Sequence, residues 1–143
     1  VHLLPIVALL TLSACSSDRD DPPPLDHDVT IESANMVVLI VRIVPDNPSL
    51  NALFLHPQTI GGRYGALIVE NAASHALMDQ AMDVYSERPE CTYFAVRIIA
   101  AGTMKAGNGE LALDKAKVME KATPKELEDR FGFQRGRYGP GQC

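Results

Sequence analysis

The sequence predicts a mainly β domain with one or two helices, in the order β-β-β-α-β-β. Three observations predict it. Branched and aromatic residues crowd two long runs, 34–46 and 91–107. One stretch between them changes from a period near two to a period near four, and Gly and Pro clusters punctuate the boundaries. Two architectures accommodate that order: a small five-stranded barrel, or an open α+β sheet with one packed helix.

The first strand, "ANMVVLIVRIVPD" at 34–46, is interrupted only by Arg42 and closed by Pro45 and Pro48. Alternation puts Val37, Leu39, Val41 and Ile43 on one face. A short second strand follows at 51–58, with Leu53 and Leu55 on a common face. "TIGGRYG" is a turn whose glycines permit positive φ, and 66–70 is a third short strand. In 71–89 the residues Leu77, Ala81 and Tyr85 recur every fourth position, flanked by Met78 and Met82. Asp79, Gln80 and Asp83 fall mostly opposite, which predicts an amphipathic helix capped at Asn71 or Ser74 and finished before Pro89. The fourth strand, 91–107, carries Gly102 as a bulge or bend, and Asn108-Gly109 signals a hairpin into a fifth strand. Thr123, Pro124 and Glu126 supply an N-cap, a first helical residue and a capping-box acid. A Gly- and Arg-rich tail ends the chain.

Three strands, a helix and two strands is also the order of the OB-fold. Residues 31–121 resemble that five-stranded Greek-key barrel in pattern. The resemblance implies a ligand surface across the second and third strands and their loops. Here that surface would hold Phe54, His56, Arg63 and Tyr64.

The N-terminal region reads differently. The apolar run at 3–12 is too short for a spanning helix, which needs about 20 residues, but it suits the core of a secretory signal. The run ends in "LSAC", Leu12 to Cys15, which closely resembles the lipobox of bacterial lipoproteins. The resemblance implies a signal peptide at 1–14, diacylglycerol on the Cys15 thiol, acylation of the new amine, and a membrane anchor facing the periplasm. Ser16 after that cysteine favours the outer membrane over the inner. An acidic, Pro-rich tether is expected at 15–28, an OB-like domain at 29–122, and a short helix with the tail at 123–143. With Cys15 lipidated, Cys91 and Cys143 remain as an even pair in an oxidising compartment. A disulfide between them would contribute about 4 kcal/mol in the loop-entropy account. Two free thiols are the other reading.

Composition narrows the function. The chain has 143 residues, 46% apolar and 22% charged, enough for one domain with a core. A net charge of -5 argues against general nucleic-acid binding, and the absence of Trp excludes a Trp-based sugar platform. His27, in "DHD", lies on the expected tether, where nothing would fix it as a metal ligand. His75, Met78 and Met82 share a helix face and could form a soft Cu(I) set, although core packing is the simpler use of two methionines. There is no G-x-S-x-G elbow, Ser74 and His75 are sequence neighbours, and "GGRYG" lacks the Lys of a phosphate loop. Asp79 and Asp83 read as a solvated pair. No enzyme and no cofactor is expected. The leading expectation is a non-catalytic, lipid-anchored envelope lipoprotein that binds or organises. A copper-handling lipoprotein is the alternative, and a small envelope hydrolase a more distant one. The tail interleaves Arg130, Arg135 and Arg137 with Phe131, Phe133 and Tyr138. It would touch an envelope protein or an anionic envelope component, or pack its two Phe rings on the domain.

Overall fold

A computed structural model describes residues 22–42, 47–55, 60–85, 93–123 and Glu126. It contains β1 (Val29–Val41), β2 (Ser49–Phe54), β3 (Gly65–Leu67), α1 (Ala72–Val84), β4 (Tyr93–Met104) and β5 (Leu111–Lys121). The strands form one sheet in the order β3-β2-β1-β4-β5, with every neighbouring pair antiparallel. The protein is thus mainly β, with one packed helix among the described elements, and the sheet is open.

Of the two architectures, the open sheet is the one observed. A closed barrel would need a ladder between β3 and β5. Among the described residues these ends touch at one parallel bridge, Ile68 with Leu111, where the Val69 N–H donates to the Leu111 carbonyl at 2.9 Å. Beyond it, α1 takes the place of a strand. The Asn71 amide donates to the Leu113 carbonyl at 2.9 Å. Gln80 donates to the Ala116 carbonyl at 3.2 Å and accepts from the Val118 N–H at 3.0 Å. An edge strand must have its free backbone groups covered, and here two side-chain amides do it. With those groups engaged, a continuous β3–β5 ladder has nothing to pair with.

The main core lies between the inner face of the sheet and α1. Met36, Val38 and Ile40 from β1, Phe94, Val96 and Ile98 from β4, and Leu77 and Ala81 from α1 are all buried in it. Tyr85, at the helix C-cap, packs on Phe94 with ring centroids 4.6 Å apart and donates its hydroxyl to the Ala95 carbonyl at 2.7 Å. The fourfold spacing of Leu77, Ala81 and Tyr85 is the stripe that meets the sheet.

Three boundaries depart from the sequence expectation. β1 begins at Val29, ahead of position 34, because Thr30, Glu32, Ser33 and Asn35 conceal its inward residues Ile31 and Ala34. A bulge between Ile31 and Ala34 resets the alternation, and a one-residue slip of this kind breaks a simple pattern. The Asn108-Gly109 signal belongs to a wider loop at 105–110, closed by the Lys105 N–H donating to the Glu110 carbonyl at 2.8 Å. Gly102 does mark a register shift against β5; a Cβ there would run into the Ala112 carbonyl oxygen.

The third departure concerns the tether. Residues 22–28 are docked on the domain. Leu25 and Gly107 exchange backbone hydrogen bonds at 3.0 and 2.9 Å. Asp28 accepts from the Ala106 N–H at 2.8 Å and pairs with Lys105 at 3.3 Å. The Ala106 N–H, and after it Lys105, hold the Asp28 carboxyl below its ordinary value of 3.8. Residues 22–28 are therefore part of the folded domain, ahead of the boundary expected at 29.

Candidate binding cleft

The local sequence builds the start of α1 firmly. Asn71 is the N-cap: its side chain accepts from the Ser74 N–H at 2.9 Å, while the Ser74 hydroxyl accepts from the Asn71 N–H at 2.8 Å. Because Asn71 also reaches Leu113, the cap fixes the helix start against the sheet. His75 follows directly, and its Nε2 lies 2.8 Å from Oε1 of Glu70.

Between this first stretch of α1, the start of β2 and the chain leaving β3 lies a cleft of about 590 Å³. Leu50, Ile68 and Met78 give it an apolar floor, and Glu70, His75 and Asp79 stand along its walls. No Lys or Arg lines it among the described residues. The helix spacing explains the polar wall: His75 and Asp79 are one turn apart and share a face.

The carboxylate of Glu70 orients the imidazole, as a second group orients a general base. Two serines also line the cleft, Ser49, whose hydroxyl accepts from the Asn51 amide at 3.1 Å, and Ser74. Ser74 is 2% exposed, and its hydroxyl both accepts from and donates to Asn71 within the cap. What the walls offer is negative charge above an apolar surface.

Of the four residues expected to make a ligand face, Phe54, Arg63 and Tyr64 are described, and their side chains have different settings although the Phe54 N–H donates to the Tyr64 carbonyl at 2.7 Å. Phe54 is buried in the main core, because Leu50, Ala52 and Phe54 are the inward positions of β2. Tyr64 is 73% exposed. Arg63 is a structural clamp whose guanidinium donates to the carbonyls of Pro23 at 3.0 Å and Gly107 at 3.3 Å. Gly109, at φ +71°, makes room for it: a Cβ there would sit 2.6 Å from the Arg63 Nε. His56 lies outside the described residues, as do Cys15, Cys91, Cys143 and the Arg and aromatic residues of the tail.

The soft-metal trio is brought together only in part. His75, paired with Glu70, and Met78 both line the cleft. The Met82 sulfur accepts a hydrogen bond from Arg42 Nη1 at 3.3 Å. A thioether facing a guanidinium is a poor partner for a second cation. Among the described residues no three His, Cys, Asp or Glu side chains group to hold a metal.

Sequence reasoning missed Leu50, Ile68, Glu70 and Asp79 as parts of one site. The only available signal was the Glu70–His75–Asp79 spacing across the helix start. Compared with known proteins, the chain matches no family model, no curated protein and no solved structure. The fold and the cleft thus define a class, a small open-sheet β domain with a helix-walled acidic cleft, and the function is argued from the site alone.

Proposed function

We propose that the protein is a non-catalytic, lipid-anchored module of the bacterial cell envelope whose cleft binds a cationic group on an apolar stem. The ligand class that fits is a Lys- or Arg-bearing segment of an envelope protein. One observation carries the binding reading: among the described residues two carboxylates and no Lys or Arg border an apolar floor in a cleft large enough for such a side chain and its neighbours. An anionic envelope component would meet like charge there.

The anchor rests on the lipobox resemblance, with Cys15 carrying the lipid, residues 1–14 removed and Ser16 favouring the outer membrane. A Cys91–Cys143 disulfide belongs to the same compartment. The docked segment shortens the expected reach. From Cys15 to Pro22 the chain can span at most about 25 Å, so the domain stays close to the bilayer surface.

Titration with hexylamine, hexanol and hexanoate, followed by NMR of the Leu50, Ile68 and Met78 methyls, tests the cleft. The ammonium should bind tightest, and Glu70→Gln with Asp79→Asn should weaken it about tenfold, the factor that 1.4 kcal/mol represents. Equal binding of hexanoate would overturn the reading. Mass spectrometry of detergent-purified protein should find an acylated N-terminal Cys15; an intact, unacylated residue 1–14 segment would remove the anchor.

A further inference from the structure

The acidic cleft contains a group that can itself become a cation. His75 has its Nε2 2.8 Å from Oε1 of Glu70, and Asp79 follows one turn along α1 on the same face. An ionised carboxylate only accepts hydrogen bonds, so the neutral ring keeps its proton on Nε2 and donates it to Glu70. Nδ1 is then the basic nitrogen. A second proton taken up there charges the ring without breaking the bond to Glu70. The side chains of His75 and Glu70 are 65% and 80% exposed, so that proton exchanges directly with solvent.

The rest of the cleft does not offset the change. Asn47 and Ser49 on the β2 side, and Leu67 and Ile68 on the β3 side, bring no charge. From α1, Asp79 is the one further titratable group among the described lining residues. An incoming cation therefore meets two carboxylates when the ring is neutral, and a net single negative charge when it is protonated. Histidine is the side chain that ordinarily makes this change between pH 5 and 8.

We propose that His75 is a built-in competitor for the ligand of the cleft, a regulation that rests on the cation-binding reading of the same site. Protonated, the ring takes up the negative charge that a Lys or Arg side chain would otherwise meet at Glu70 and Asp79. The cleft then holds a cationic segment at neutral to alkaline pH and releases it in mild acid. Because these side chains are exposed, the change is that of a single surface charge contact, about fivefold in affinity.

The test uses the full chain, with hexylammonium as the probe and the Leu50, Ile68 and Met78 methyls as reporters. Titrations at about pH 8 and about pH 5.5 bracket the charging of histidine, and the parent should bind about fivefold more weakly at the lower pH. In His75→Gln, whose amide can still donate to Glu70 but never charges, the two affinities should agree. Linkage is reciprocal, so saturating hexylammonium should lower the midpoint of the His75 ring titration by about 0.7 pH unit, the same fivefold factor. Equal binding by the parent at both pH values, an equal fall in His75→Gln, or an unmoved ring midpoint would overturn the proposal and leave the cleft reading standing. Absence of binding at the higher pH would remove the cleft reading and this regulation together.

Discussion

The two faces of the β1–β4 pair invite comparison because they are built from alternate residues of the same strands. On the inner face Met36, Val38, Ile40, Phe94 and Val96 meet α1 and the other strands, and the burial is accounted for by described neighbours. On the outer face Val37, Leu39, Tyr93 and Ala95 are equally dry, and among the described residues the flanking Val41, Leu53, Leu55 and Ala122 pack with them. The difference extends along β1. From Val29 to Asn35 the outward positions are polar and exposed, whereas Met36–Ile40 is buried on both sides. Continuous apolar runs of that kind belong to strands covered on both faces. β1 therefore passes from a stretch buried on one face to a stretch buried on both.

Truncation on each face would sharpen that contrast. Phe94→Ala removes the ring packed at a tilt against Tyr85 and should cost about 3–5 kcal/mol, read by urea unfolding. Leu39→Ala on the outer face should cost about 2–3 kcal/mol and add dye binding, since the outer cluster is smaller than the inner one. Equal costs with no dye binding would mean that both faces are packed alike.

Gln80→Ala breaks the comparison at the sheet edge. It strips the partners of Ala116 and Val118 and should cost about 1–2 kcal/mol, with faster hydrogen exchange at the Val118 amide. The smallest effect is at the docked N-terminal segment. Asp28 has its carboxyl lowered when folded, so its contribution is present above the unfolded value near 3.8 and is lost as pH falls through the lower folded value. In Asp28→Asn that acid-side loss should vanish, seen as flatter stability between pH 5 and pH 2 relative to the parent. An unchanged profile would show that the segment is held by Leu25 and Arg63 alone.

Much of the local structure was legible because its causes are local. The α1 stripe of Leu77, Ala81 and Tyr85, the cap at Asn71 and the Thr123–Glu126 box all depend on residues within one or two turns. Gly102 was legible as a bulge because a glycine inside a strand marks close backbone approach. The cleft was half legible. His75 and Met78 stood out on the helix, but Leu50 and Ile68 join them only through the β2–β3 pairing and the bridge to Leu111. Arg63 looked like a ligand residue because an arginine beside an exposed tyrosine in a Gly-rich turn carries no sign that backbone carbonyls of Pro23 and Gly107 will claim it.

By itself the sequence determined which stretches extend, which one coils, and where caps and bulges fall, since these depend on neighbours along the chain. Only the tertiary structure decided which apolar face of β1 receives the helix, and that the sheet stays open. Alternation divides residues 36–41 into two sets of comparable hydrophobicity, so no local rule ranks them. Closure, likewise, depended on Asn71 and Gln80 reaching the β5 edge, an encounter between distant segments that neither composition nor period encodes.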